Sequence, residues 1–245
     1  MKLSRFIPVV LFFVAVSTAF GQDAVPGEIL GRTHMIKVGD EAGTAFNVDY
    51  NGKLYLVTAR HVVGTLQTHD AKIQIMQSGE WKDYHIARVL FPESDEVDIA
   101  VLETDEKVKT PYGVSIMSGP EGPTFGQQVW FIGYPWGLHS HLSNGEIPFI
   151  KRGTMSAIDG TNPKAMVLYI DGFNNPGFSG GPILYFDFKS HAYRLAGVVK
   201  GYREDNANVL VNGKLVPTPI LVNSGILIGY SAEHIIETIK AAESK

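Results

Sequence analysis

Three short segments carry side chains that could together perform acyl transfer. The most specific is Asn175-Pro176-Gly177-Phe178-Ser179-Gly180-Gly181-Pro182, which opens the apolar run Ile183-Leu184-Tyr185-Phe186. Glycines around a serine let the main chain approach a substrate closely, and the N–H groups of Gly177 and Ser179 would then donate to a developing oxyanion. Serine is a poor nucleophile at its free pKa and needs a neighbouring base. Leu56-Val57-Thr58-Ala59-Arg60-His61 supplies one, a histidine at the exit of an apolar strand, where a scaffold holds it rigidly. His34, His69, His85, His191 and His234 have no comparable setting. The base in turn needs a carboxylate that fixes its tautomer. Asp98 leads into Ile99-Ala100-Val101-Leu102, and an acid at the mouth of a buried strand must find a partner or suffer desolvation. That sets it apart from Asp95 and Glu96 in the polar loop before it. Each segment also has a plain structural reading: a Gly/Pro turn, a core histidine and an acid capping a strand. Read together, they point to Ser179 as nucleophile, His61 as general base and Asp98 as the group that orients it.

The elements that must position these groups are short strands. Apolar-rich runs recur at Ile29 to Val38, Gly43 to Tyr50, Lys53 to Ala59, Lys72 to Met76, Tyr84 to Phe91 and Asp98 to Glu103. After a Gly/Pro-rich connector, Ser118 to Gly126, six more follow: Gln127 to Tyr134, Phe149 to Ile158, Met166 to Ile170, Pro182 to Phe186, Ala192 to Tyr202 and Gly225 to Tyr230. Asn51-Gly52 and Asn212-Gly213 are dipeptides suited to type I′ hairpins, in which both central residues need positive φ. The pattern predicts an all-β fold of two six-stranded antiparallel β-barrels, about 27–117 and 126–230, with an active-site cleft between them. Only 232–242 reads as a helix, with Ser231 as N-cap and Ile235, Ile236 and Ile239 on one face, docked on the second barrel.

Composition bounds the rest. With 245 residues, 44% hydrophobic and 19% charged, the chain can bury a sizeable core, and 26 Gly and 13 Pro between β-branched runs favour turns over long helices. Lys2 and Arg5 precede an apolar run from Phe6 to Val16 and then small residues at Ser17, Thr18, Ala19 and Gly21, a signal-peptide pattern. We therefore expect cleavage between Gly21 and Gln22, leaving 22–245 as the mature domain. The alternative is an uncleaved tether, but the run falls short of the roughly 20 residues that span a bilayer and contains Pro8, so no stable membrane span is expected. Removal of Lys2 and Arg5 takes 21 basic residues to 19 against 25 acidic, a net charge of −6. No broad basic patch is present, which argues against a nucleic-acid partner. The absence of cysteine excludes thiol catalysis and thiolate metal sites, and suits a secreted or periplasmic bacterial domain that relies on its core rather than on disulfides.

TARHVV, DIAVL and GFSGGP, in the order His, Asp, Ser, resemble the three active-site blocks of trypsin-like serine proteases. The likeness is to bacterial high-temperature-requirement proteases in particular: NPGFSGGPI is similar to their serine block, GYPWG (Gly133 to Gly137) to their glycine-rich segment and GILIGYSAEHI to their last strand and helix. It covers roughly Gly31 to Ile239. The resemblance implies a serine endopeptidase acting on a peptide or protein substrate without a cofactor. It implies a primary specificity pocket based near Phe173, six residues before Ser179, where the lack of an acid argues against cleavage after Lys or Arg and for a small or apolar side chain, although Asp171 lies nearby. It also implies that Lys200-Gly201-Tyr202 pairs with substrate backbone. Two departures stand out. Phe178 replaces the acidic or amide residue usual before the nucleophile, and the family's C-terminal peptide-binding domain is not expected here.

Other readings remain open at this point. Gly177-Phe178-Ser179-Gly180-Gly181 satisfies the nucleophile elbow of α/β-hydrolases, but an elbow needs a helix straight after the serine, whereas Gly180-Gly181-Pro182-Ile183-Leu184 is a strand start. A catalytically silent relative could use the same cleft to bind a peptide or partner protein. His139-Ser140-His141 puts two imidazoles on one face of a strand, yet without a third ligand close by it reads as a solvated loop, and no metal is expected.

Overall fold

The structure is a computed structural model that describes residues 24–104, 122–142, 145–216 and 218–244. The signal-peptide pattern at 1–21 lies outside the described residues, as does part of the connector.

Period-2 burial builds the first barrel. In β4 (His69–Gln77), Ala71, Ile73 and Ile75 turn inward while their neighbours face out. Together with β1 (Thr33–Val38), β2 (Glu41–Tyr50), β3 (Lys53–Thr58), β5 (Glu80–Leu90) and β6 (Ala100–Glu103) it closes in the order β1-β2-β3-β6-β5-β4. Asn51 and Gly52 have φ of 50° and 77°, the two positive values of the expected tight hairpin between β2 and β3. The run from Ile29 begins pairing only at Thr33, because Gly27–Leu30 forms a single helical turn, α1, that buries Ile29. The run from Asp98 likewise pairs only from Ala100, which leaves Asp98 ahead of the ladder.

The second barrel is built from β7 (Gln128–Gly133), β10 (Phe149–Asp159), β11 (Val167–Asp171), β12 (Pro182–Asp187), β13 (Ala192–Ala207) and β16 (Ile220–Ser231), closed in the order β10-β11-β16-β13-β12-β7. A small hairpin of β8 (Ser140–Leu142) and β9 (Gly145–Ile147) precedes β10. Strands β13 and β16 are longer than expected. They continue as a paired ribbon, Glu204 opposite Asn223 through Ala207 opposite Ile220, and lead to β14 (Leu210–Val211) and β15 (Lys214–Leu215) around the positive-φ pair Asn212-Gly213. Backbone pairing alone carries this extension, so its residues show no burial period for a sequence reading to detect.

Alternation places successive residues of one strand in different cores. In β7, Val129 and Phe131 pack inside the second barrel with Met155, Ile170 and Phe178, while Trp130 and Ile132 face the junction between barrels. There they meet Val57 and Val101 of the first barrel. Strands buried on both faces read as continuous apolar runs, which is what the sequence displays at 129–132. A single helical turn, α2 (Arg60–Val63), follows β3, and the C-terminal helix is α3 (Glu233–Glu243). Helix α3 straddles both barrels rather than docking on the second alone. Met166 N donates to His234 Nε2 at 2.9 Å in its first turn, while its body lies over β5 and β6 and Tyr55 Oη donates to Glu243 at 3.3 Å. The N-cap position is Ala232; Ser231 stands one residue earlier, where its Oγ accepts from Glu233 N at 3.3 Å. Among the described residues no helix is long and apolar enough to cross a membrane.

Candidate active site

His61 sits in α2, the turn that follows β3. Val62 and Val63 of that turn are buried in the first-barrel core, which pins it and leaves the His61 side chain about half exposed at 48%. Asp98 grips the residue twice. Its Oδ1 accepts from His61 N at 2.9 Å and its Oδ2 lies 2.6 Å from His61 Nδ1. A carboxylate can only accept, so Nδ1 carries the proton and Nε2 presents its lone pair outward. The acid at the strand mouth has thus found its partner, and at 12% side-chain exposure it is shielded from competing water.

The serine loop explains its own glycines. Gly177 has φ +100°, and a Cβ there would stand 2.3 Å from Tyr134 O; Gly180 has φ +83°, and its Cβ would stand 2.2 Å from Thr44 O. Both positions exclude a side chain by conformation and by space. Phe178, between them, is fully buried and meets Phe131 edge-on at 5.2 Å in the second-barrel core. An apolar side chain therefore anchors the serine loop in the core.

Thr44 escaped the sequence reading. It is fully buried on β2, and its Oγ1 donates to Gly177 O at 2.7 Å while accepting from Tyr134 N at 3.1 Å. Thr44 N donates to Ser179 O at 2.9 Å, and Trp136 N to Pro176 O at 2.9 Å. The carbonyls of the loop are thus held from outside by both barrels, whereas the amides of Gly177 and Ser179 donate to nothing among the described residues. One signal was available. Gly43 interrupts strand β2, and a glycine inside a strand marks close backbone approach; a Cβ on it would lie 3.1 Å from Ser179 O.

Ser179 Oγ donates to Lys200 O at 3.0 Å, and no hydrogen bond joins it to His61 among the described residues. Lys200 and Gly201 line a cleft of about 510 Å³ with Arg60, His61, Asp98 and Tyr202. Phe173 is not among the residues that line this cleft. Phe173 is exposed, and its carbonyl accepts from Lys151 Nζ at 2.7 Å. That ammonium also lies 5.5 Å from the Phe173 ring and 5.6 Å from the Phe178 ring, and burial pulls its pKa below the ordinary lysine value. Among the described residues, the side chains grouped closely enough to hold a metal are His139, His141 and Glu146, outside this cleft.

The model of the trypsin-like peptidase domain matches residues 43–189, a span that contains His61, Asp98 and Ser179. The chloroplastic Protease Do-like 1 of Arabidopsis thaliana is 32% identical over 154 residues, which is 61% of this chain; the chain spans about a third (32%) of that relative's length. Among solved structures, an inactive form of Rv3671c from M. tuberculosis H37Rv aligns with a TM-score of 0.56 at 15% identity, covering 89% of this chain and 90% of the other. The HtrA-type protease AlgW with tripeptide aligns with the same TM-score at 20% identity, covering 88% and 61%. At such identities the structural likeness speaks for the fold. The family match, extending over more than half of the sequence, shows that the chain belongs to the trypsin-like peptidase family of serine endopeptidases.

Proposed function

We propose that the protein is an exported endopeptidase that cleaves peptide bonds through Ser179, His61 and Asp98. The observation that carries this reading is the double grip of Asp98 on His61, since it holds the imidazole in the one tautomer able to act as base, in a cleft also lined by Lys200, whose carbonyl accepts from Ser179 Oγ. Ser179 Oγ attacks the scissile carbonyl while its proton passes to His61 Nε2. The negative charge that develops is received by the amides of Gly177 and Ser179, a role consistent with their lack of an acceptor among the described residues. His61 then protonates the leaving amine, and a water activated by the same nitrogen hydrolyses the acyl-enzyme. Export rests on the signal pattern at 1–21.

The bond from Ser179 to Lys200 O gives substrate binding a part in arming the nucleophile. A peptide pairing with Lys200-Gly201-Tyr202 offers its own N–H to that carbonyl, which releases the serine hydroxyl to turn toward His61. Hydrogen bonds of this kind often form only in the substrate complex. Beside Phe173, the Lys151 ammonium repels a basic side chain, which favours small or apolar residues before the scissile bond.

A fluorophosphonate probe tests the reading. We expect covalent labelling of Ser179 and hydrolysis of a peptide library, both abolished by Ser179→Ala with the fold intact. Folded protein that is neither labelled nor active with any peptide would instead establish a silent binding module.

A further inference from the structure

The hairpin β8–β9 places a third ligand where the sequence offered two. Antiparallel pairing sets His141 directly opposite Glu146, and His139, two residues earlier, adds its ring to the same cluster. One ligand atom from each of the three lies within 4.8 Å of the others. We propose that His139, His141 and Glu146 bind a divalent transition-metal ion, zinc by the character of the set.

The surroundings prepare each ligand. His139 Nδ1 lies 3.1 Å from Gly137 O, and since a carbonyl only accepts, that nitrogen carries the proton and Nε2 is left with its lone pair. A backbone carbonyl on the far nitrogen is the usual outer partner of a metal-bound imidazole. The exposed ring of His141 makes no hydrogen bond among the described residues. The Glu146 carboxylate is oriented from the other barrel: Ser78 N donates to Oε2 at 3.1 Å and Gly79 N donates to Oε1, both from the turn between β4 and β5. Each oxygen keeps a further lone pair for an ion.

The chemistry selects the metal class. Two imidazoles with one carboxylate suit zinc and its neighbours, whereas calcium and magnesium demand oxygen ligands. Around a tetrahedral zinc with bonds of about 2.0–2.1 Å, ligand atoms stand roughly 3.4 Å apart, so the separations, none above 4.8 Å, contract by at most about 1.4 Å, within reach of side-chain rotation. Three protein ligands leave a fourth position to solvent. The ion would join the β8–β9 hairpin to a turn of the first barrel through Glu146. The segment leading to His139 includes Trp136, whose N–H braces Pro176 O in the serine loop.

The test uses untagged, chelator-treated Ser179→Ala protein, so its outcome does not depend on peptidase activity. Calorimetric titration with ZnCl2 at pH 7.5 should saturate at one ion per chain, raise the melting temperature, and be reproduced with Co²⁺ as a tetrahedral visible spectrum. His141→Ala should weaken binding by more than about tenfold, the loss that even outer partners of a ligand cause, without lowering the metal-free melting temperature. Glu146→Gln should weaken it similarly. No saturable binding, or binding unchanged in His141→Ala, overturns the site.

Discussion

Replacing Asp98 by asparagine isolates the orientation of the base from its presence. The side chain at this position meets two donors, His61 N at 2.9 Å and His61 Nδ1 at 2.6 Å. An amide has one oxygen to offer. If it faces the main-chain N–H, the NH2 group faces Nδ1, which must then surrender its proton to Nε2, and the imidazole can no longer accept the serine proton. If it faces the ring instead, two N–H groups confront one another at the backbone of a shielded site, at a cost of about 1–3 kcal/mol. The first arrangement wins, and the base is lost while the shape of the cleft stays. We expect kcat/KM for a peptide substrate to fall by roughly 10⁴-fold, equivalent to about 5–6 kcal/mol of transition-state stabilisation, with little change in thermal stability. Steady-state hydrolysis at pH 7.5 measures the first, and nitrogen-15 shifts of the His61 ring report the tautomer. A loss below tenfold, or a variant whose proton stays on Nδ1 while activity vanishes, would refute the reasoning.

Phe178→Ala empties a fully buried site against Phe131 and should cost about 3–5 kcal/mol in urea unfolding, with activity falling further because the serine loop loses its anchor; a loss under 1 kcal/mol would show that the loop is held by its hydrogen bonds alone. Thr44→Val leaves Gly177 O and Tyr134 N unpaired in a buried junction and should cost about 2–4 kcal/mol, and a stability equal to the parent would deny Thr44 its bracing role. His34, buried beside Asn47, has its pKa pushed down to about 4 by desolvation, which outweighs the hydrogen bond to Asn47 that acts to raise it. Between the unfolded value of 6.5 and the folded value, the unfolded chain binds the proton and the folded one does not, so stability is present at pH 7 and falls as pH drops toward 4, by about 3 kcal/mol. Urea unfolding at pH 7 and 4.5 should show the fall, and His34→Leu should flatten it; an unchanged pH dependence in that variant would assign the effect elsewhere.

What could be read from the sequence was whatever local chemistry demands of local residues. Positive φ at Asn51-Gly52 and Asn212-Gly213 needs no partner to be inferred, and both pairs sit in hairpins. The apolar runs marked the strands because double-sided burial leaves few polar positions in them. His61, Asp98 and Ser179 stand out in the sequence for a related reason, each where a strand or glycine-rich loop gives a reactive group an otherwise unexplained setting, and the structure joins the first two by hydrogen bonds. Phe178 was visible as a departure, but only packing against Phe131 decided that it anchors the loop.

Pairing between distant segments was legible only in part. Thr44 looks like any threonine in a strand until Gly177, Ser179 and Tyr134 are brought to it from the other barrel. The ribbon of β13 and β16 is held by register rather than by burial, and the helix crosses to the first barrel because apolar faces of both barrels meet there. Phe173, which the resemblance placed at the base of the substrate pocket, is not among the residues that line the cleft with Lys200 and Gly201, and which residues share a cleft is a tertiary matter. Glu146 joined two histidines through a single cross-strand register. Sequence by itself determined which side chains could react and which backbone could bend. The tertiary structure decided which of them meet, because hydrogen-bond register and barrel closure act between residues far apart along the chain.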